Sequence, residues 1–547
     1  MKKFYIIDIR KRQNSNFNLN SIIDNNSKIL SLTPYSSYLL DNISMNYITF
    51  HSIISIDEFR ERVFNFYKKV ENILNIYKDY GYIFRDIALL KNYEIYIEII
   101  SEFINNKKSN GYKIVYITDT KKDSIDNFKY NSNLTSGIYY LNIDEVIDIN
   151  TQDSSFYLFM DLKSKIYKFL YTKNIFTKFF NKNSLFYDHK NFKDFWRNRE
   201  IKREIKIDKN IDIKNYKEFI KEINPLIEST LFKDLYLNFI KESENKILKS
   251  KEIKKSPLLP FVYLSNSNEF IRNLLYKNNS IPRVFYQHGS YLYEHIFFKY
   301  NEVSVADINF VYNNYTKNLF LKYGQKKVYS VGSIDFNSKI DNKKLKYDFV
   351  YITHCGNYGY GGTYIDGKDS FYSIDGYNIY QRHKKVIELF KNRFKDKKIV
   401  IKMQPNITSS MLYIPLLELS KGYKNITIEF FTPLDTLISK SKYIISDYFS
   451  SNFTNRELHY KKDIILFSKF PLAIPKNSLK DMEKMFILIE SIKDLKDKIE
   501  NIEKITKNRK RYNELIEYYS SKNCNTKREV LNILEKELNA TEPKKKI

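Results

Sequence analysis

In the second half of the chain, short apolar runs alternate with stretches whose apolar residues recur every three or four positions. YDFVYIT (347–353), KIVIKM (398–403), ITIEFF (426–431), KYIISDY (442–448) and DIILF (463–467) read as buried strands, and the intervening periodicity predicts helices at 379–395, 409–420, 433–440 and 450–459. The same rhythm runs upstream through PFVYLS (260–265), RVFYQHG (283–289), ADINFVY (306–312) and KKVYSVG (326–332), with helices at 268–277 and near 314–323. Val/Ile-rich strands alternating with helices mean parallel sheets covered on both faces. The polar stretch 333–346 reads as a linker, so the pattern predicts two Rossmann-like domains joined there. The first 150 residues are less regular: FYIIDI (4–9), YKIVYIT (112–118) and IYYLNI (138–143) read as strands and 86–103 as a helix. From about 155 to 250 the pattern is helical and Lys-rich, with Pro225 breaking it once, and a helical tail is expected from about 478 to 538.

Composition narrows the class. Of 547 residues 43% are apolar, with 47 Tyr and 40 Phe, far too much buriable surface for a disordered chain, while only 13 Gly and 11 Pro exclude collagen-like and linker-dominated designs. Lys and Arg number 91 against 64 Asp and Glu, a net charge of +27 that favours anionic partners. The abundance of Lys, Asn, Ile and Tyr together is also what an AT-rich coding bias produces. Nucleic acid, a phospholipid surface, a nucleotide-activated donor and an acidic glycan all satisfy the charge. Cys355 and Cys524 are the only cysteines, which excludes a disulfide framework and a Cys-rich zinc site and suits a reducing cytoplasm. The basic start MKKFYIIDIRKRQN is too short in apolar residues for a signal-peptide core, and no run approaches the roughly 18 uncharged apolar residues that span a bilayer. The expectation is a soluble or peripheral protein.

Ligands of parallel sheets sit beyond the carboxyl ends of the strands, so the residues there carry the candidate chemistry. His288, followed by Gly289, ends RVFYQ; an imidazole at a strand exit can accept a proton from an acceptor hydroxyl, or simply be satisfied by backbone at a turn. After YDFVYIT, five glycines including Gly361 and Gly362 fall between 356 and 367, either a phosphate or acceptor loop or a structural one. Lys402 and Gln404, before and after the end of KIVIKM, present a cation and an amide toward one crevice. Ser450 and Ser451 follow Asp447 and run into a helix carrying Arg456 and Glu457; hydroxyls there either cap the helix or form an anion site. There is no DxD, HExxH, Walker A or kinase signature, and the seven His residues show no metal spacing.

Taken in order, YQHG, VADINFVYN, KKVYSVGSID, KMQPN and IISDYFSSNFTNREL followed by KKDIILF resemble bacterial surface and capsule polysaccharide glycosyltransferases of the GT-B fold. The similarity is to the CDP-glycerol glycerophosphotransferase group in particular, and it covers roughly residues 280–470. The resemblance implies an α/β, GT-B-like architecture of two Rossmann-like domains facing a cleft. Residues 1–335 would form an acceptor-side domain with the helical insertion, 345–475 a nucleotide-donor domain, and 478–547 the tail. It further implies a metal-independent glycosyltransferase or polyol-phosphate transferase, without cofactor, working at the cytoplasmic membrane face on a surface polysaccharide or lipid-linked glycan. His288 would be the catalytic base, with Lys402, Ser450 and Ser451 on the donor's phosphates and Arg456 or Glu457 on its ribose or base. Two positions depart from the group's pattern: Gln404 stands where a second His is expected and cannot titrate, and Phe449 separates Tyr448 from the serines. The alternative expectation is a non-catalytic basic binder of nucleic acid or anionic polymer.

Overall fold

The computed structural model describes residues 2–9, 19–24, 26–32, 34–80, 91, 94–95, 98–100, 102–118, 138–142, 213–227, 262–264, 282–287, 299–333, 344–353, 363–365, 371–373, 376–403, 416–447, 452–469, 474, 476–508, 513–520 and 526–540. The helix expected at 268–277, most of 155–250 and the greater part of the 333–346 linker lie outside these.

The apolar runs of the second half form one six-stranded sheet. Its strands are β10 (Tyr347–Ile352), β13 (Ile399–Lys402), β14 (Ile426–Glu429), β15 (Ser441–Ser446), β16 (Ile464–Phe467) and β17 (Ile487–Ile489). Every pairing is parallel and the spatial order is β14-β13-β10-β15-β16-β17. Renumbered along the chain this is 3-2-1-4-5-6, the doubly wound order in which the crossovers reverse direction beside the first strand. Alternation sorts the side chains onto two cores. Phe349, Tyr351, Ile399, Ile401 and Ile445 pack on one face under the helix Gly376–Asn392, while Val350, Ile352, Val400 and Ile444 pack on the other under the helices Leu434–Ser439 and Lys476–Met485. Helix Gly376–Asn392 offers Ile379, Val386, Ile387 and Phe390 as its buried stripe, which is why the sequence there is amphipathic.

The first half carries two parallel sheets. One, ordered β3-β2-β1-β4-β5, is built from β1 (Lys3–Asp8), β2 (Lys28–Ser31), β3 (Ile48–Thr49), β4 (Lys113–Thr118) and β5 (Ile138–Asn142), again 3-2-1-4-5. The other runs in simple sequence: β6 (Val262–Leu264), β7 (Arg283–Tyr286), β8 (Ile308–Val311) and β9 (Val328–Ser330). A single core joins them, since Phe4, Ile6 and Ile114 of the first share a buried cluster with Phe285 and Val311 of the second and with the long helix Ile56–Ile76. That helix starts where Ser55 accepts from the Glu58 amide at 3.1 Å, with Asp57 and Glu58 in its first turn. The architecture is α/β and GT-B-like, with doubly wound parallel sheets in both halves.

The structure departs from the sequence expectations in several places. The tail expected to be helical from 478 contributes β17, because Ile487 and Ile489 alternate inward onto β16 and complete the sheet edge. Pro225 does not break its helix; it lies in the last turns of Ile213–Ile227, where few intrahelical bonds remain to be lost. Within the glycine-rich stretch, β11 (Thr363–Ile365) and β12 (Phe371–Ser373) form an antiparallel hairpin, and β11 lies against helix Ile56–Ile76 of the other half. Helices Ile492–Glu500, Ile502–Asn508, Asn513–Tyr519 and Thr526–Ala540 do follow. The last crosses back to the first half, burying Val530 and Leu534 among Val284, Tyr286, Ile308 and Phe310.

Candidate functional site

The first strand of the six-stranded sheet, β10, lies between β13 and β15, so the crevice outside its carboxyl end is the switch point of the sheet. The register places Lys402, Ile352 and Ser446 in one row across these three strands. Their successors Thr353, Met403 and Asp447 continue the row at the edge. Here the Asp447 amide donates to the Ile352 carbonyl at 3.3 Å, and the Thr353 hydroxyl donates to the Lys402 carbonyl at 3.0 Å.

On the face covered by helix Gly376–Asn392, three polar side chains meet in an otherwise apolar setting. The Tyr351 hydroxyl donates to Asp447 Oδ2 at 3.1 Å, and His383 Nε2 lies 3.0 Å from the same oxygen. His383 and Asp447 are each 1% exposed, and the Tyr351 ring meets the imidazole edge-on at 5.7 Å. His383 Nδ1 has no hydrogen-bond partner among the described residues. A buried carboxylate needs such donors, and this one takes both through a single oxygen. The preceding residue on the helix, Arg382, sets its guanidinium 4.1 Å above the Phe467 ring at the end of β16.

On the opposite face, helix Asn452–His459 brings Glu457 beneath the strand ends. The residue is 0% exposed, and neither carboxyl oxygen meets a donor at hydrogen-bonding geometry among the described residues. Burial pushes its carboxyl up to about 8; the Ser446 hydroxyl draws it down part of the way and the charge of Asp447 adds to the rise. At neutral pH Glu457 is therefore mostly an uncharged acid. The sequence offers Arg456 or Glu457 for a donor's ribose or base; in the structure the Glu457 side chain is fully buried.

Lys402 ends β13 as expected and is 8% exposed. Its ammonium donates to the Phe430 carbonyl at 2.5 Å, beyond the end of β14. Arg456 lies in helix Asn452–His459. Six further candidates, His288, Gln404, Ser450, Ser451, Gly361 and Gly362, lie outside the described residues. Two of their sequence neighbours are described. Gln287, immediately before His288, is fully buried; its amide donates to the Phe310 carbonyl at 2.9 Å and its Oε1 accepts from the Tyr312 amide at 2.6 Å. Asp447, three residues before Ser450, is held by the cluster just described.

The same helix that supplies His383 also touches the other half of the chain. Lys384 donates to Asp41 at 3.0 Å, Gln381 reaches the same carboxylate at 3.4 Å, and Tyr380 meets Tyr38 edge-on at 6.4 Å. Positions 380, 381 and 384 share a helix face adjoining the one that carries 379, 383, 386 and 387 into the core. Among the described residues no three His, Cys, Asp or Glu side chains gather as a metal set, and no helix is long and apolar enough to cross a membrane.

Sequence reasoning missed Tyr351 and His383. The available signal was His383 within the apolar stripe of a helix, a polar group that must find a partner once buried.

No family model and no curated protein matches the chain. Solved structures that resemble it include a complex of S. aureus MnaA with UDP (15% identity, 52% of this chain and 75% of that chain, TM-score 0.33). Others are the Methanocaldococcus jannaschii UDP-GlcNAc 2-epimerase in complex with UDP-GlcNAc and UDP (14%, 61% and 90%, TM-score 0.34) and Acinetobacter baumannii MurG (10%, 79% and 93%, TM-score 0.31). Likeness at this level carries no argument, and the fold stated above rests on strand order and register.

Proposed function

We propose that the chain is a metal-independent transferase that binds a nucleotide-activated donor at the carboxyl edge of β10, β13 and β15. It moves a sugar or polyol phosphate to a hydroxyl of a surface polysaccharide or lipid-linked glycan. Residues 345–475 would hold the donor and 1–335 the acceptor, with the molecule working at the cytoplasmic membrane face. The observation that supports this reading best is the buried Tyr351–His383–Asp447 cluster at the switch point of a 3-2-1-4-5-6 sheet. Unlike an apolar strand end, it ties down the residue from which the chain enters 448–451 and the helix Asn452–His459, where phosphate oxygens would meet Ser450 and Ser451.

In the proposed reaction the imidazole of His288 takes the proton of the acceptor hydroxyl. The acceptor oxygen then bonds to the transferred group as the bond to the nucleotide's phosphate oxygen breaks. The departing nucleotide carries the negative charge, which Lys402, Gln404 and the helix N-terminus would stabilise. Gly361 and Gly362 would let the loop after β10 approach the donor closely, and Arg456 would meet its nucleoside.

The test is a thermal-shift screen of CMP-, CDP-, UDP- and GDP-linked donors, followed by turnover measured on the stabilising one. Transfer or donor hydrolysis in the wild type that falls at least about a hundredfold in His288→Ala, with donor binding retained, is expected. No donor stabilising the protein, or full activity in His288→Ala, overturns the reading; steeply salt-dependent polyanion binding without turnover would instead mark a basic binder.

A further inference from the structure

At the amino ends of β7, β8 and β9 the chain forms an open hollow of about 770 Å³. It lies at the edge of that sheet opposite the one where Gln287 and Tyr312 sit, separated by a strand of four residues, roughly 13 Å. Six cationic side chains line it: Lys78, Arg283, Lys299, Lys322, Lys326 and Lys327. They come from separate parts of the chain. Lys78 follows the long helix Ile56–Ile76, Lys299 lies in the turn before β8, Arg283 opens β7, and Lys322, Lys326 and Lys327 flank the turn into β9. That turn is shaped by Gly324 at φ +87°, where the Gly324 amide donates to the Leu321 carbonyl and the Gln325 amide to the Phe320 carbonyl.

Three of the six are matched by carboxylates. Asp307 takes the Arg283 guanidinium in a two-point grip at 3.0 Å, Glu71 takes Lys299 at 3.2 Å, and Glu537 takes Lys327 at 2.6 Å. Lys78 and Lys326, both exposed, meet no carboxylate among the described residues. Tyr300 and Tyr323 supply apolar wall, and the Tyr300 hydroxyl is occupied by Glu71 and Asn75. The hollow is thus a concave, pre-shaped, net positive volume within the size range of small-molecule sites. Its fixed ion pairs orient three cations, and its unpaired lysines leave charge for a guest to neutralise.

We propose that this hollow binds an anion carrying two adjacent phosphates, independently of the transferase reading. Two unmatched lysines from separate elements, one after the helix Ile56–Ile76 and one in the turn into β9, suit two phosphates better than one, while Arg283, held by Asp307, adds fixed positive charge to the wall. The diphosphate could be free in solution or borne on a membrane lipid, and the recognition chemistry is the same.

The experiment is calorimetric titration of the full chain with inorganic pyrophosphate, against a Lys78→Ala/Lys326→Ala double variant. A parallel co-sedimentation arm uses phosphatidylcholine vesicles with and without diacylglycerol pyrophosphate. The wild type is expected to bind pyrophosphate with an affinity that falls as salt rises, and the double variant to lose at least about tenfold in that event. Retention of the same affinity by a Lys78→Arg/Lys326→Arg variant is expected too. Co-sedimentation only with diacylglycerol pyrophosphate, lost in the same variant, would support a lipid-borne source; pyrophosphate binding without it would support a soluble one. Absence of binding in both arms, or binding that the double variant leaves unchanged, overturns the proposal. The substituted lysines are exposed, so loss of fold does not obscure the outcome.

Discussion

Asp447 is the residue on which the switch point turns. Its Oδ2 accepts from the Tyr351 hydroxyl and lies against His383 Nε2, so removing either neighbour and removing Asp447 itself are different perturbations. Tyr351→Phe deletes one hydrogen bond from an oxygen that keeps another and should cost about 1 kcal/mol. Asp447→Ala leaves two buried polar groups without their acceptor and should cost about 2–4 kcal/mol, a gap that urea midpoints of the two variants would resolve. Glu457 makes a prediction of opposite character. Its folded carboxyl sits at about 8, above the ordinary 4.5, so the folded state holds the proton that the unfolded state releases. Stability from this group is whole below about pH 4.5 and is lost as pH climbs toward 8, at up to about 1.4 kcal/mol per pH unit. Glu457→Gln should flatten that slope and exceed the wild type at pH 8; denaturation at pH 5.5, 7 and 8.5 measures it. At this scale the sequence was only partly legible: Lys402 and Glu457 were named from their places after strands, yet the direction of each side chain was not readable. Lys402 turns to the Phe430 carbonyl because strand register sets its direction, and Glu457 turns into the core because its helix packs that face on the sheet, and both are long-range properties.

Elements were easiest to read where a strand is buried on both faces. β10, β13, β15 and β16 appear as unbroken apolar runs because helices cover both sides of their sheet, and the sequence records that burial directly. β2 and β17 escaped for the converse reason. Lys28–Ser31 and Ile487–Ile489 have four and three residues, too few to establish any period, and the second sits between two helical stretches. The helix Thr526–Ala540 was expected, but its destination was not: amphipathicity shows that a face is buried and is silent about against what. Leu534 there packs among β7 and β8 residues, so Leu534→Ala should destabilise the first half of the chain by about 2–5 kcal/mol, checked by thermal unfolding followed by hydrogen exchange in β7 and β8.

In the whole molecule, contacts among the described residues tie the two halves beyond the seating of helix Thr526–Ala540 on β7 and β8. Asp41 meets Lys384, β11 lies against helix Ile56–Ile76, and Tyr519 spans the junction. Its backbone carbonyl accepts from Asn313 at 2.7 Å, its ring stacks on Tyr315 at 4.5 Å, and its hydroxyl donates to Asp481 at 3.2 Å. The Asp41–Lys384 pair is three-quarters buried on both sides. Reversing one charge with Asp41→Lys should separate the halves' unfolding in a calorimetric scan, and Asp41→Lys/Lys384→Asp should restore a shared transition; an unchanged scan in the single variant would show the pair to be energetically idle.

The seating of Val530 and Leu534 on β7 and β8 also has a consequence for biosynthesis. More than two hundred residues separate these side chains from the strands they cover. At translation speeds of 5–20 residues per second, that sheet emerges from the ribosome on the order of ten to forty seconds before its cover does. During that interval the nascent chain displays one greasy face of that sheet, Val284, Tyr286, Ile308 and Phe310, without its cover, a natural substrate for chaperones that bind behind the exit tunnel.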